Sequence, residues 1–357
     1  MVTMLDCIYR VPAKIESIVA NRKETFAALL MAMSKKPDEY DELVFVGSGT
    51  SNTSSVTANR FVEKASGLSA RTMLPNDFLN KVSYNKKALY IFVSQSGTSH
   101  LTQLAMKKVQ DLGCLTVAIT EHSQTPLSLD ADIHVEMGCG FEEYGMRTIG
   151  YCATVLTEML MGMEIGLARG ALSQEAYDEY MKDALKVPES HKRICENTLK
   201  WFDKVKESIA EAESIILYGS QSLWGVALEG ALKILETARR YLCVGYELDD
   251  GLHGPDLAYS HRFAVLILND GEKDDALATN AAKFAKAETG HGFVIGKHTL
   301  DDMDLPFDPV GNDFKCLEFA PVVEILAYQL GLENGVNIVP LKDMEIKSAK
   351  YFTTHDE

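Results

Sequence analysis

The sequence predicts an α/β protein of two related lobes, each a parallel sheet flanked by helices in the doubly wound manner. Three observations carry this. Continuous apolar runs at 43–46, 88–93, 115–120, 214–218 and 263–268 have the length and composition of strands buried on both faces. Those at 43–46, 88–93 and 214–218 pass straight into turns rich in Gly, Ser or Gln, and helical patterns follow. The same unit returns after a long charged helical stretch, so the second half repeats the plan of the first. The expected domains are 1–180 (an N-terminal helix plus the first lobe), a helical connector at 181–212, a second lobe at 213–340 and a tail at 341–357.

Taken in order, Ile8-Tyr9-Arg10-Val11-Pro12 precedes a helical stretch at about 13–33, where Ile15, Ile18 and Val19 recur at helical spacing. A polar loop follows at 34–39. The strand at 43–46 runs into Gly47-Ser48-Gly49-Thr50-Ser51-Asn52 and a helix at 53–64. Hydroxyls and free amides at a helix N-terminus stabilise an anion. A dinucleotide fingerprint would need Gly where Asn52 stands, so NAD is not expected. The strand at 88–93 ends in Ser94-Gln95-Ser96-Gly97-Thr98-Ser99, four hydroxyls and an amide with no basic residue, before a helix at 100–112. One such turn is an ordinary N-capping cluster. Two of them in adjacent β-α units of one sheet form a phosphate cradle, since ligands of open α/β sheets sit at the carboxyl ends of the strands.

Strands at 115–120 and 133–136, a loop at 138–145 and an apolar helix at 149–168 complete the first lobe. Met159, Met161 and Met163 on that helix read as core. The connector at 182–211 is charged, as a solvated helix face is. The second lobe reads as a strand at 214–218, a turn at 219–222 and a helix containing 227–236. Strands at 263–268 and 292–295 follow with a helix at 274–289 between them, then a loop at 305–312 and a helix at 318–330.

On the 227–236 helix, Leu228, Leu232 and Leu235 make the expected buried stripe. Glu229, Lys233 and Glu236 recur on the same period, which fits a solvated salt-bridge ladder as well as a set of reactive groups. His253 precedes Gly254-Pro255, which cannot continue a helix, so its imidazole is presented from a loop. A Glu, a Lys and a His are the residue types that move protons beside a sugar carbonyl.

Composition narrows the function. With 357 residues, 46% hydrophobic and 24% charged, the chain is an ordinary globular protein of two domains. No run of about 18 apolar residues exists, so no membrane span is expected. The N-terminus lacks the basic flank and apolar core of a secretory leader. Seven cysteines without a CxxC pair predict reduced thiols and a cytoplasmic location. Nine scattered histidines without HExxH predict no metal site, and no cofactor is expected. A net charge of −16 disfavours nucleic acid.

The motifs together resemble the sugar-isomerase (SIS) family, specifically the isomerase half of the glutamine–fructose-6-phosphate amidotransferases, over nearly the whole chain. They are Ile8-Tyr9 with Pro12, Gly49-Thr50-Ser51, Ser94-Gln95-Ser96-Gly97, Ala227-Leu228-Glu229-Gly230-Ala231-Leu232-Lys233, His253-Gly254-Pro255 and Ala349-Lys350. The resemblance implies two SIS lobes of flavodoxin-like winding and a phosphosugar substrate. It implies that Ser94, Gln95 and Ser96 grip the phosphate, with Ser99 a further hydroxyl, and that Thr50 and Ser51 touch phosphate or sugar hydroxyls. Glu236 would move a proton between C1 and C2. His253 would help open the ring of a substrate in the neighbouring subunit, which implies a homodimer. Lys350 would form a Schiff base with the open-chain carbonyl, and Glu229 and Lys233 belong to the same site. An amine forms an imine only when neutral, so that role calls for a partly dry site.

Three departures qualify the resemblance. Val2 follows Met1 where the family's glutaminase carries its Cys nucleophile, so no glutaminase domain is expected. Phe141-Glu142-Glu143-Tyr144 replaces a Ser-Thr-Lys loop, so the substrate is expected to differ at C1 or C2, where these glutamates could meet an ammonium group. The stretch between Glu236 and His253 is slightly longer than in the family. The expected activity is an aminosugar-phosphate deaminase/isomerase, converting glucosamine 6-phosphate to fructose 6-phosphate and ammonia. The alternatives are a fructosamine-6-phosphate deglycase and a non-catalytic phosphosugar-binding regulator.

Overall fold

A computed structural model describes residues 2–35 and 39–355. The continuous apolar runs become central strands, because a parallel strand covered by helices on both faces has no side left for water. The chain divides into two compact units, residues 13–182 with 340–357 and residues 1–12 with 183–339.

Helix α1 (Met4–Ser34) opens the chain. In the first unit β1 (Glu42–Val46), β2 (Ser69–Met73), β3 (Ala88–Val93), β4 (Thr116–Thr120) and β5 (Ile133–Glu136) pair in parallel, in the order β2-β1-β3-β4-β5. Every residue of β3 and β4 is buried. Four helices connect them, α2 (Thr50–Ser66), α3 (Pro75–Leu79), α4 (His100–Gln110) and α5 (Pro126–Asp130), and α6 (Ile149–Arg169) follows β5. On one face Val44, Val46, Tyr90 and Phe92 pack with Phe78 and with Ala105, Met106 and Val109 of α4. The Phe78 ring stands edge-on to Tyr90 and Phe92, at 5.6 and 5.9 Å between centroids. Met159, Met161 and Met163 of α6 are core, as the sequence predicts.

The second unit begins within α7 (Gln174–Glu211). It continues through β6 (Ser214–Gly219), α8 (Ser222–Thr237), β7 (Leu242–Glu247), β8 (Phe263–Asn269), α9 (Asp275–Thr289), β9 (Gly292–Gly296), β10 (Leu305–Pro306) and α10 (Cys316–Glu333). Its strands also run parallel, in the order β10-β9-β8-β6-β7. Each sheet therefore has one point where the winding reverses, between β1 and β3 and between β6 and β8. Ligands of such sheets sit at the carboxyl side of that point.

The structure departs from the sequence reading in several places. β2, β7 and β10 lie at sheet edges and were not apparent; β2 and β7 are largely half-buried and lack the continuous apolar run of a central strand. β10 falls in the stretch read as a loop at 305–312. Helix α1 starts at Met4 rather than 13, because Thr3 and Asp6 cap it reciprocally: the Asp6 amide donates to Thr3 Oγ1 (3.1 Å) and the Thr3 amide to Asp6 Oδ2 (2.7 Å). Pro12 is carried inside this helix, and Ile8 packs with Cys195 and Ile325, which assigns residues 1–12 to the second unit. Helix α7 is longer than the expected connector and is not a solvated spacer. It buries Val187, Ile194, Cys195, Phe202, Val205 and Ile209 along one stripe. Of the loop expected at 34–39, residues 36–38 lie outside the described residues, as do 356–357 of the tail.

The tail folds with the first unit. The Leu341 amide donates to the Glu143 carbonyl (2.8 Å) and the His100 amide to the Thr354 carbonyl (3.1 Å). His355 bridges antiparallel to Ser99. All seven cysteines are buried free thiols. Among the described residues no helix is long and apolar enough to cross a membrane.

Candidate active site

The first unit brings both expected phosphate turns to its switch point. β1 and β3 are hydrogen-bonded neighbours, so Gly47–Ser51 and Ser94–Ser99 leave the same edge of the sheet side by side. Thr50 opens α2 behind Gly49, whose φ of 58° turns the chain sharply into the helix. Ser51 lies one residue further in and is half-buried. In the second turn Ser94 is buried and its carbonyl accepts from the Gly97 amide (3.0 Å). Ser96 Oγ and Thr98 Oγ1 share a hydrogen bond of 2.9 Å, and Thr102 donates to Ser99 Oγ at 2.9 Å. Gln95 lies against α6: a Cβ on Gly150 would sit 1.8 Å from Gln95 Oε1, so only glycine lets this side chain rest there. Glu121 Oε2 is 3.5 Å from Gln95 Nε2, an acid beside the turn that sequence spacing gave no reason to select.

The second unit carries the charged array. Lys233 Nζ lies 3.2 Å from Glu229 Oε1 and 2.7 Å from Glu236 Oε2. Lys233 and Glu229 are fully buried, whereas the Glu236 side chain is 38% exposed. This overturns the expected stripe: Leu228 and Leu232 are only half-buried and Leu235 is 44% exposed. The face that packs is instead Leu223, Val226, Ala227, Gly230, Ala231 and Ile234, whose small members let α8 lie close to β6 and α10. Glu229 and Lys233 are drawn in beside that face. Burial alone would lower the Lys233 ammonium, but Glu229 and then Glu236 outweigh it, and the net shift is upward. Lys233 is thus a fixed cation rather than a nucleophile. Its neighbour Glu236 has one oxygen held by it and a surface open to solvent.

His253 has a separate partner. It sits on an exposed loop after β7, with Nε2 3.3 Å from Asp249 Oδ2. Lys350 is exposed on the tail of the first unit, between the anchors at Leu341 and Thr354. The expectation that Glu142 meets a substrate ammonium is not met by its geometry. Its carboxylate is buried and accepts from the Thr148 amide (2.7 Å), Thr148 Oγ1 (2.9 Å), the Ile149 amide (3.0 Å) and the Gly150 amide (3.1 Å). It caps the N-terminus of α6, a role in which a negative charge meets the positive end of the helix dipole. The Glu143 carbonyl holds the tail instead. Among the described residues no group of three or more His, Cys, Asp or Glu is placed to hold a metal ion.

Two doubly wound five-stranded sheets, one edged by paired hydroxyl-rich turns, define a tandem α/β protein built to bind at strand ends. Residues 39–161 match the SIS domain, so the chain carries a SIS domain and the resemblance drawn from its motifs holds. A glutamine–fructose-6-phosphate aminotransferase (isomerizing) of Bartonella quintana is 24% identical over 311 residues, covering 84% of this chain and 50% of that protein. The chain thus spans about half the length of that relative. A candidate phosphosugar isomerase of Clostridium difficile 630 superposes with a TM-score of 0.89 at 24% identity, over 99% of both chains. A glucosamine-6-phosphate deaminase of Thermotoga maritima does so at 0.70 and 19% identity, over 93% of this chain and 97% of that one. These likenesses show that both lobes share the SIS fold.

Proposed function

We propose that this chain is a phosphosugar enzyme that releases ammonia and fructose 6-phosphate from glucosamine 6-phosphate. The observation that carries this reading is the Glu229–Lys233–Glu236 array, a buried cation holding a carboxylate that is itself partly exposed. A regulator that only binds sugar phosphate has no use for such a costly buried charge set. The SIS fold it shares with an aminosugar-phosphate deaminase adds to it.

In this reading Ser94, Gln95, Ser96 and Ser99, with Thr50 and Ser51, hold the phosphate through hydroxyls and helix-terminal amides. His253 passes the proton that opens the ring. Glu236 takes the C2 proton and returns it to C1, leaving an imine at C2. Lys350 adds at C2 and displaces ammonia, and water then hydrolyses the Schiff base to the ketone. No metal or organic cofactor enters these steps. His253 serves the site of a second copy, so the working form is a homodimer. Mixing inactive H253A and E236Q chains then restores activity.

The test is ammonium release from glucosamine 6-phosphate by the purified chain and by Glu236→Gln. Release that the variant abolishes supports the reading; equal release by both removes Glu236 from it. The exposure of Lys350 favours a second reading, a fructosamine-6-phosphate deglycase, whose substrate already carries nitrogen at the reacting carbon. In that case Lys350→Ala keeps near-full activity, and fructosyl amino acid 6-phosphates yield free amino acid.

A further inference from the structure

The loop that carries His253 is braced from below by two tyrosines. Tyr218, the penultimate residue of β6 and fully buried, donates its hydroxyl to the Gly251 carbonyl at 3.0 Å. Tyr259, at the far end of the loop, donates to the Tyr218 hydroxyl at 2.5 Å. The rings are locked as well: Tyr218 stacks on Tyr246 (6.1 Å between centroids) and Tyr259 on Phe284 (5.8 Å). Gly251 is pressed so closely on this pair that an added Cβ would lie 2.3 Å from Tyr218 Cε1 and 2.7 Å from Tyr246 Cβ. Within the loop, the Leu252 and His253 amides bond to the Asp249 and Asp250 carbonyls, both at 3.1 Å. The Glu247 carboxylate accepts from the Asp249 and Asp250 amides at 2.8 and 3.1 Å.

His253 itself is exposed, and its one close side-chain partner among the described residues, Asp249, is exposed too. Nothing at the imidazole therefore fixes its place; the two residues behind it do. The geometry points to Tyr218 and Tyr259 as positioning residues for His253, with the Tyr218 hydroxyl the central link, because it ties Gly251 on one side of His253 to Tyr259 on the other. This rests on the reading of His253 as the ring-opening group. The two hydroxyls are not equivalent. Removing the one on Tyr259 leaves the Tyr218–Gly251 bond in place. Removing the one on Tyr218 strands a buried carbonyl and the Tyr259 hydroxyl together.

The experiment compares wild type, Tyr218→Phe, Tyr259→Phe and His253→Ala on glucosamine 6-phosphate and on its 4,5-dideoxy analogue, which lacks both hydroxyls that close a five- or six-membered ring. A displacement of about 1 Å at an acting group costs on the order of 100-fold in rate. Y218F is expected to lose roughly 10- to 100-fold in kcat on the ring-forming sugar, with KM nearly unchanged and full activity on the analogue. H253A should show the same selective loss, and Y259F a smaller one. Hydrogen exchange at the Leu252 and His253 amides should quicken in Y218F and little in Y259F. Equal loss on both sugars, or unchanged exchange in Y218F, overturns the bracing role. Selective loss in H253A without one in Y218F also overturns it while leaving His253 as the ring opener. Full activity of H253A on the ring-forming sugar removes the ring-opening role and the positioning proposal with it.

Discussion

Replacing Lys233 with Met tests whether the buried charge array is structural capital or a liability. The methionine keeps most of the aliphatic packing and removes only the cation, which takes the Lys233 charge away from the fully buried Glu229. Breaking one partner out of a buried ion pair costs about 3–5 kcal/mol. A second route to the same figure is available, because Glu229 can escape the penalty by taking up a proton. The price is then capped by the ~2.7 pH units between pH 7 and an ordinary glutamate, which at ~1.36 kcal/mol each come to about 3.7 kcal/mol. At pH 5.5 the same cap falls to about 1.6 kcal/mol. K233M should therefore lose about 3–4 kcal/mol at neutral pH, near 10 °C in Tm for a unit of this size. It should recover more than half of the loss by pH 5.5. Adding Glu229→Gln should restore stability and flatten that pH dependence, the signature of two coupled sites. Urea unfolding of the three variants at both pH values measures all of this. A K233M loss below about 1 kcal/mol, or one independent of pH, would refute the assignment of Lys233 as the compensating charge for Glu229.

Other outcomes follow from the same structure. Glu142→Ala removes the acceptor of three amides and a hydroxyl at the start of α6 and should cost about 2–4 kcal/mol. Thermal unfolding should show this. Glu158 is buried between α6 and α2, where Ser55 donates to it, and burial pushes its pKa up to about 8. A folded value above the unfolded one means its contribution is fully present below about pH 4.5 and lost progressively as pH rises to about 8. Glu158→Gln should flatten the stability profile across that window in denaturant titrations. His191 is held in the opposite sense, lowered to about 4 by burial. Its stabilising contribution is present above the ordinary histidine value and is lost as pH falls toward 4, so urea titrations of His191→Gln should show a smaller stability loss than wild type between pH 7.5 and pH 4.5.

The central strands were legible because being buried on both faces leaves one mark in the sequence, an unbroken apolar run, and β3 and β8 carry it. Edge strands carry no such mark. The charge spacing on α8 was also legible, but the direction it faces was not. Hydrophobicity put Leu228, Leu232 and Leu235 inside, whereas close packing put Ala227, Gly230 and Ala231 there and took Glu229 and Lys233 with them. What decides between the two is backbone proximity, which a residue's transfer free energy does not encode. Glu142 was unreadable as a cap for a related reason. It lies six to eight residues before the amides it holds, so no local capping spacing announces it. The turn that presents His253 could be read, since Gly254-Pro255 forbids a helix. The tyrosines beneath it could not, because they come from a strand 35 residues earlier and a position beyond the loop.

The tail anchored at Leu341 and again at Thr354 has a consequence for Lys350 that is one of concentration. A segment pinned at both ends is a closed loop, and the amine it carries cannot leave the neighbourhood of the Ser99–His100 turn to which its far end is tied. Tethers of this length hold a group at an effective concentration in the millimolar range. In the proposed reaction, a sugar phosphate arriving at that turn meets a lysine already present at that concentration, without any collision having to bring it there.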